Sequence, residues 1–396
     1  MYVTRPLSLY RDTSSSSSSS ALEPEGPNTG VLVIEDEASE LRWFFGLLKD
    51  TSVAVPPFPQ NKLLELRYLK HSAAHNRRHW HHLTDYFYAW LIPVLNQPPN
   101  SNQYYIINSR GKTKGLACTS SKEDDIISCC CFNFIDDIQP QLFDPRSPYQ
   151  QFQITNKYTY FGSHDGFVSK SMASDGVPPY FLRHQGWTAN TKTLENFEAW
   201  PALGINPTLR ARLPKLDSID PVVVGKWYCP FIFIREGEIG AQMRDSTYYE
   251  MTLQQNWKEI FRCYNNNKNS TNGDVLVDVC VKREAVLVRE TLLTTKRVVV
   301  SDGIMWFGPS SEVGLSMAIV ERVQWEEERV GFVWGESHED QEIERVVRRE
   351  VFKGKGVWKR FGCYVLVERF VLKRMDGTLA LTWEFRHTHQ IRTKWE

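Results

Sequence analysis

Hydrophobic runs of strand length recur along the whole chain, and the two longest of them close it. They lie on either side of an Asp376-Gly377 pair and continue to Trp395, one residue before the end. An Asp-Gly pair between hydrophobic runs is typical of a two-stranded hairpin turn. We therefore predict a long C-terminal β-hairpin that is integral to the fold rather than a trailing tail.

Other segments also have the length and β-branched or aromatic content of strands. Several of them are bounded by proline, glycine or asparagine, which is typical of turns. The predicted strands before the closing hairpin cover residues 30–34, 103–108, 115–120, 126–135, 222–234, 275–288 and 297–307.

Helical spacing is less frequent. Its clearest example is residues 312–329, where Leu315, Ile319 and Val323 recur every four residues and define one apolar face. A proline at the first position favours a short helix at 207–213. Weaker helical patterns cover residues 39–49, 194–203, 254–263 and 339–349.

The succession of elements predicts an α+β protein, predominantly antiparallel β-sheet with a few covering helices, in two β-rich halves. The first half is 1–215 and contains a serine-rich stretch near 12–29 that we expect to be disordered. The second half, 216–396, ends in the hairpin. A chain of 396 residues is long enough for two domains.

Charge narrows the range of partners. Lys and Arg number 47, as do Asp and Glu, so no overall charge favours nucleic acid. The longest apolar stretch, from Tyr86 to Leu95, is too short to span a bilayer. We therefore expect a soluble intracellular protein, in the cytoplasm, with a protein or small-molecule partner, no nucleic acid and no transmembrane segment. The sequence does not set the oligomeric state.

Eight cysteines occur, without a Cys-x-x-Cys pair, so we expect free thiols rather than a zinc ribbon. Three of them are consecutive, at 129–131. In a strand these would be small buried hydrophobic residues; redox or metal chemistry is the alternative. No cofactor motif is present, and we expect no cofactor.

The closing hairpin contains the best candidate site. His387 and His389 are two residues apart, so in a strand they would share a face, with Glu384 nearby. Such a pair can bind metal or act as acid and base. The alternative is a solvated strand face with cross-strand salt bridges to residues such as Glu368 and Arg369.

A second histidine group lies at His71, His75 and His79, which would share one face of a helix over residues 71–88. The neighbouring Arg77 and Arg78 oppose cation binding. This segment therefore reads as a basic surface insertion, with a metal site or a patch for an anionic partner as alternatives.

Pro178 and Pro179 stiffen a loop that presents Tyr180. Such a loop would bind a partner or ligand, or form a structural corner between two sheets. Gly314-Leu315-Ser316 superficially resembles a nucleophile elbow, but that motif needs a strand ending in a sharp turn at the serine. The helix predicted over 312–329 argues against it.

The chain resembles a plant family described as domain of unknown function 1262. The resemblance is carried by MYVTRPLSLYR, EGPNTGVLVIEDE, GFVSKSMASDGVPPYFLR, EVGLSMAIVERVQWEEERVGFV and the closing hairpin. Some members carry the label "insecticidal crystal toxin domain". The resemblance implies a plant source and a full-length family domain, and it brings no catalytic residues.

The predicted function is a non-enzymatic binding or interaction protein, with a stress or defence role suggested by the family label. The alternative is an enzyme or metal-dependent protein of unrecognised type, using His387 and His389 or the cysteines at 129–131.

Overall fold

The computed structural model describes most of the chain. The described residues are 1–11, 25–40, 42–43, 48–70, 83–129, 132–160, 162–192, 201–265, 273–289, 291–292, 299–308, 312–334 and 343–396. Some predictions concern residues outside this part of the chain. These residues are the serine tract, the His71–His82 segment, Cys130, Cys131 and residues 194–200.

Strands make up most of the described elements. In residues 1–202 they are β1 Tyr2–Pro6, β2 Gly30–Ile34, β3 Arg42–Trp43, β4 Leu48–Lys49, β5 Ser52–Val53, β6 Leu63–Lys70, β7 Leu83–Pro93, β8 Gln103–Asn108, β9 Ser121–Lys122, β10 Ile126–Cys129, β11 Phe132–Ile135, β12 Gln151–Tyr158, β13 His164–Ser171, β14 Gly176–Val177 and β15 Thr188–Lys192. After residue 202 they are β16 Gly204–Ile205, β17 Val222–Pro230, β18 Ile234–Arg235, β19 Tyr248–Tyr264, β20 Asp274–Lys282, β21 Glu284–Val288, β22 Thr291–Leu292, β23 Val299–Ser301, β24 Ile304–Phe307, β25 Val313–Ser316, β26 Ile343–Val351, β27 Arg360–Arg374 and β28 Leu379–Trp395.

The helices are few and short. They are α1 Ser8–Arg11, α2 Tyr180–Arg183, α3 Pro207–Arg212, α4 Ile239–Asp245 and α5 Met317–Glu328, together with single 3₁₀ turns at Glu37–Ser39, Pro99–Ser101, Glu123–Asp125, Pro148–Gln150 and Phe231–Phe233. The predicted β-rich, largely antiparallel character is confirmed. Within the described residues, no helix has the length and apolar character needed to cross a membrane.

The chain divides into two compact units. Unit 1 comprises Met1–Ala202 and Pro230–Thr247, and unit 2 comprises Leu203–Cys229 and Tyr248–Glu396. Each unit therefore contains a segment that is distant in sequence from the rest of it.

Unit 1 is built on an antiparallel sheet with the strand order β13-β12-β8-β7-β6-β15-β5. Alternate residues of these strands point to one face, and the apolar ones form a buried core there. The segment 230–247 contributes Phe233, whose ring lies 5.0 Å from that of Phe143 and 5.8 Å from that of Tyr2. The core of the sheet contains Leu64, Leu66, Ala89, Leu91, Ile106, Phe152, Ile154 and Trp187.

Unit 2 is built on a sheet with the strand order β17-β19-β27-β28-β21-β22. Strands β27 and β28 are the closing hairpin, and they pair from Phe361 with Trp395 to Lys373 with Leu379. The pairing shifts after His387, so that residues 388–390 bulge out before Ile391 pairs with Val365. A second core cluster contains Val275, Val277, Trp358, Phe361 and Cys363.

Four helix predictions were wrong. Residues 254–263 belong to β19, where they pair with β27. Residues 343–351 form β26, which pairs with β20. Within 39–49, Arg42–Trp43 and Leu48–Lys49 form the small β3–β4 pair, and the described end of 71–88 belongs to β7, which pairs with β6. In each case a partner strand supplies the backbone hydrogen bonds and overrides a weak local helical preference.

The helix predicted over residues 312–329 begins later than expected. Val313–Ser316 form strand β25, and α5 starts at Met317. Ser316 therefore ends a strand and precedes a helix, as a nucleophile elbow requires, but its φ of −56° is ordinary and its side chain is buried. The strained geometry that exposes a nucleophile is absent at Ser316.

Candidate functional site

His387 lies on the face of the hairpin that is covered within unit 2. Leu366 pairs with His387 and Glu368 pairs with Phe385, so Glu368 and His387 are diagonal neighbours on one face. On the next strand, Gln255 pairs with Glu368 and donates a hydrogen bond of 2.7 Å to its Oε1 atom. Three polar side chains thus meet on a sheet face that would ordinarily be apolar.

Helix α3 contributes Arg210 to this group. Asn206 caps the helix by accepting a hydrogen bond from the Leu209 N–H, and Pro207 occupies its first turn. The Nε atom of Arg210 donates to Glu368 Oε1 over 2.9 Å, and its Nη2 atom bonds to Glu368 Oε2. This two-pronged pairing fixes the Glu368 carboxylate in position.

Helix α5 supplies the remaining charges. Glu326 accepts a hydrogen bond from Arg210 Nη1 over 3.2 Å, and Arg322, one turn earlier, donates to Glu326 over 2.5 Å. Glu327 points toward the hairpin, where its Oε2 atom lies 3.1 Å from His387 Nε2. We call Arg210, Arg322, Glu326, Glu327, Glu368 and His387 the buried charge cluster.

Burial controls the protonation of the cluster. Glu327 is 0% exposed, and this burial, together with the negative charge of Glu368, raises the pKa of Glu327 well above its usual value. Burial also lowers the pKa of His387 to about 4. Burial by itself would raise the pKa of Glu368, but the hydrogen bonds and charge of Arg210 prevail and lower it. At neutral pH, Glu368 is therefore ionised and His387 is neutral.

His389 does not join the cluster. It is exposed, its Nε2 atom lies 3.1 Å from the Val330 carbonyl oxygen, and its ring centroid is 5.5 Å from that of His387. The bulge at 388–390 falls between His387 and the next paired residue, which ends the regular alternation expected of a strand.

Glu384 lies apart from both histidines. It pairs with Arg369 across the hairpin, with 3.6 Å between Glu384 Oε1 and Arg369 Nη2, and its Oε2 atom is 3.4 Å from Arg386 Nη2. This is the cross-strand ion pairing that the sequence suggested as the alternative to a site.

Tyr180, the candidate in unit 1, opens helix α2 and is 50% exposed. Its backbone N–H donates to Asp137 Oδ2 over 2.9 Å. The ring lies 4.7 Å from that of His184, and Lys70 Nζ is 5.3 Å from its centre. Tyr180 is thus anchored through its backbone while half of its side chain faces solvent.

Unit 1 has a second candidate binding surface, which the sequence did not predict. On the face of the sheet opposite the core, Tyr86 pairs with Arg67, and Tyr88 pairs with Glu65. Tyr86 is 53% exposed. The Arg67 guanidinium lies 5.7 Å from the centre of the Tyr86 ring.

The Tyr88 ring is contacted by two cations. The Arg110 guanidinium is 3.4 Å from the ring centre and Lys192 Nζ is 4.8 Å away. We call Arg67, Tyr86, Tyr88, Arg110 and Lys192 the tyrosine–cation face. Tyr86 and Tyr88 share a face because they are two residues apart in β7, and the cations come from other strands and a loop.

Glu65 lies beneath this face and forms ion pairs with two of its cations. Its side chain is buried and accepts from Arg67 Nε over 2.6 Å, while Lys192 Nζ contacts its other oxygen. Burial would raise the pKa of Glu65, but hydrogen bonds from Lys192, Tyr88 and Arg67 outweigh it and lower the pKa to about 2.

Part of the chain matches a known protein family. Residues 25–132 match the model of a family described as a protein of unknown function, DUF1262, so the family resemblance is confirmed over those residues. The sequence matches none of the curated proteins.

Among solved structures, the chain is similar to Cry35Ab1. The sequence identity is 13%, the TM-score is 0.46, and the likeness covers 85% of this chain and 90% of Cry35Ab1. A likeness of this strength decides neither the fold nor the activity of the chain.

Proposed function

We propose that the protein is a non-enzymatic binding protein that recognises an acidic segment of a protein partner through the tyrosine–cation face. The observation that carries this proposal is the Tyr88 ring, which is contacted by Arg110 and Lys192 on the outer face of the unit 1 sheet. The expected intracellular, cytoplasmic setting and the stress or defence role belong to the same proposal.

The charge balance of the face favours an anionic partner. Arg67, Arg110 and Lys192 bring three positive charges, whereas Glu65 brings one negative charge and is buried beneath them. A carboxylate-bearing peptide would meet a surplus of cations, and the exposed Tyr86 ring would supply apolar contact area. Arginine and tyrosine are also the residue types most enriched at binding hot spots.

Preorganisation strengthens the proposal. Because Glu65 and the tyrosine rings already hold the cations, a partner would not have to order three long side chains on binding. A predominantly electrostatic contact of this kind weakens as salt rises, since the Debye length shortens.

The test uses the full chain and a fluorescently labelled polyglutamate peptide, with binding followed by anisotropy at low salt. We expect saturable binding that the double variant Arg67→Ala/Arg110→Ala weakens about tenfold, equivalent to roughly 1.4 kcal/mol. The matched control is Arg345→Ala/Arg349→Ala, which removes the same charge from surface ion pairs with Asp278 and Asp274 in unit 2.

Two results would contradict the proposal. One is an equal loss of affinity in the two double variants, because that would reflect net charge alone. The other is tighter binding of a single-stranded oligonucleotide of equal charge, because that would indicate a nucleic-acid surface. Near-UV circular dichroism of each variant confirms that the fold is retained.

A further inference from the structure

The buried charge cluster of unit 2 has the geometry of a metal site. We propose that Glu327, Glu368 and His387 bind one divalent first-row transition-metal ion, of which zinc is the representative case. Each offers one ligand atom, and these atoms lie within 4.8 Å of one another. The site is separate from the tyrosine–cation face, and neither proposal depends on the other.

The distances fit metal coordination. His387 Nε2 is 3.1 Å from Glu327 Oε2 and 3.8 Å from Glu368 Oε2. With metal–ligand bonds of about 2.0–2.2 Å, tetrahedral ligands are roughly 3.4 Å apart. The two measured distances lie on either side of this value, and the three ligand atoms all lie within 4.8 Å of one another.

The second observation is that two of the three ligands, Glu327 and His387, lack ordinary hydrogen bonds, although Arg210 Nη2 lies 3.6 Å from Glu327 Oε1. Within the described part of the chain, no hydrogen bond of acceptable geometry reaches either oxygen of Glu327 or either ring nitrogen of His387. Glu327 is 0% exposed and His387 is 1% exposed. Buried polar groups are normally satisfied, so the converging atoms of Glu327 and His387 leave a place for one further partner, which a metal ion would fill.

Charge leads to the same conclusion. Glu326, Glu327 and Glu368 bring three carboxylates, whereas Arg210 and Arg322 bring two guanidiniums. The carboxylates thus outnumber the guanidiniums by one, and either a proton or a metal ion can supply the balancing charge. A divalent ion with three protein ligands keeps a fourth position, and an anion such as hydroxide in that position would restore neutrality.

The donor set points to the class of metal. One imidazole nitrogen with two carboxylate oxygens suits zinc, manganese or ferrous iron, whereas calcium and magnesium prefer oxygen donors throughout. Arg210 and Gln255 already orient Glu368 through hydrogen bonds, as outer partners of metal ligands commonly do. Each carboxylate oxygen has two lone pairs, so Glu368 can accept these bonds and still bind a metal.

The test measures zinc uptake by the full chain after treatment with a chelator. All five histidines of the segment 71–82 (His71, His75, His79, His81 and His82) are replaced by alanine in every sample, so that the segment offers no imidazole to zinc. Isothermal titration with zinc chloride is expected to show one ion per chain with a Kd below about 1 µM. The thermal midpoint of the protein is expected to rise by several degrees with zinc. X-ray absorption at the zinc edge is expected to show a first shell of nitrogen and oxygen donors without sulfur, together with the outer-shell scattering of one imidazole.

Variants locate the ion. Glu327→Gln conserves volume and is expected to weaken zinc binding at least 100-fold. The controls are His389→Gln and Glu384→Gln. Both residues lie on β28, the strand that contains His387, and both variants should bind zinc as the parent does. If Glu327→Gln does not fold, cobalt substitution of the parent chain replaces it, with a tetrahedral visible spectrum as the expected result.

Stoichiometric uptake lost in Glu327→Gln and retained in both controls supports the site. The proposal is overturned if the folded protein takes up no zinc and its thermal midpoint does not change, since a proton then balances the cluster. It is equally overturned if zinc binding survives Glu327→Gln and is lost in His389→Gln.

Discussion

A single buried carboxylate, Glu65, holds two cations of the tyrosine–cation face. It contacts Arg67 on its own strand and Lys192 on the neighbouring strand β15. In unit 2 the charges are reversed, because Arg210 is a buried cation that pairs with carboxylates from α5 and β27. Neither residue stands out in the sequence, because both become important only through partners that are distant along the chain.

The first prediction concerns Glu65 and pH. Its folded pKa of about 2 lies below the ordinary value of 4.5, so its stabilising effect is present above pH 4.5 and is lost as the pH falls toward 2. The partner side chains are nearly half exposed, so we expect this contribution to be on the order of 1–2 kcal/mol. Urea unfolding between pH 2 and pH 6 should show a flatter pH dependence in Glu65→Gln than in the parent protein. An unchanged slope would mean that Glu65 does not pair as described.

The second prediction concerns Arg210. Arg210→Met leaves the buried carboxylate of Glu368 without its cation, whereas Glu326 keeps Arg322, and we expect a loss of about 3–5 kcal/mol in the free energy of unfolding. Urea unfolding followed by tryptophan fluorescence measures it. The control Arg349→Ala breaks an exposed ion pair and should cost less than about 0.5 kcal/mol. Similar losses in the two variants would count against a structural role for the cluster.

Among the elements, the closing hairpin was predicted well and its neighbour was not. The Asp-Gly turn and the apolar alternation identify β27 and β28 from the sequence. Strand β19 has a polar, charged second half that reads as a helix, and it is extended because β27 pairs with it. Pairing with a strand that begins about 100 residues later cannot be read from a local pattern.

The third prediction tests the end of the hairpin. Deleting residues 388–396 removes Trp395, whose ring lies 4.5 Å from that of Phe361 and 5.0 Å from that of Trp358. We expect unit 2 to lose its cooperative unfolding transition, because a large aromatic contact and several cross-strand pairs disappear together. Thermal denaturation followed by near-UV circular dichroism is the measurement. Trp395→Phe is the milder comparison, and an unaltered transition after the deletion would show that the terminus is dispensable.

The fourth prediction concerns the hairpin turn. Gly377 has a φ of +84°, a conformation that strains other residues, although a Cβ atom there would meet nothing within 4 Å. Gly377→Ala should therefore cost about 1 kcal/mol through backbone strain alone. Chemical denaturation of this variant measures the cost. Gly111→Ala, at another open turn with a φ of +72°, should cost a similar amount in unit 1.

For the whole molecule, the fifth prediction concerns where the chain can be divided. A boundary at 215/216 was expected from the sequence. In the structure, residues 203–229 belong to unit 2 and residues 230–247 belong to unit 1. Fragment 1–215 would lack Phe233, which packs on Phe143 and Tyr2, and fragment 216–396 would lack Arg210. We expect neither fragment alone to unfold cooperatively, as measured by calorimetry. A sharp transition in both would favour the boundary drawn from the sequence.

The sequence by itself determined the β-rich class, the closing hairpin and the family resemblance. These depend on short-range alternation, turn residues and motif identity, which are local properties. Only the tertiary structure decided which charges meet, because Arg210, Glu327, Glu368 and His387 come from four separate elements. It also separated His387 from His389, since the bulge that follows His387 leaves one ring buried against carboxylates and the other in solvent. Burial and register, rather than residue type, set the chemistry of these side chains.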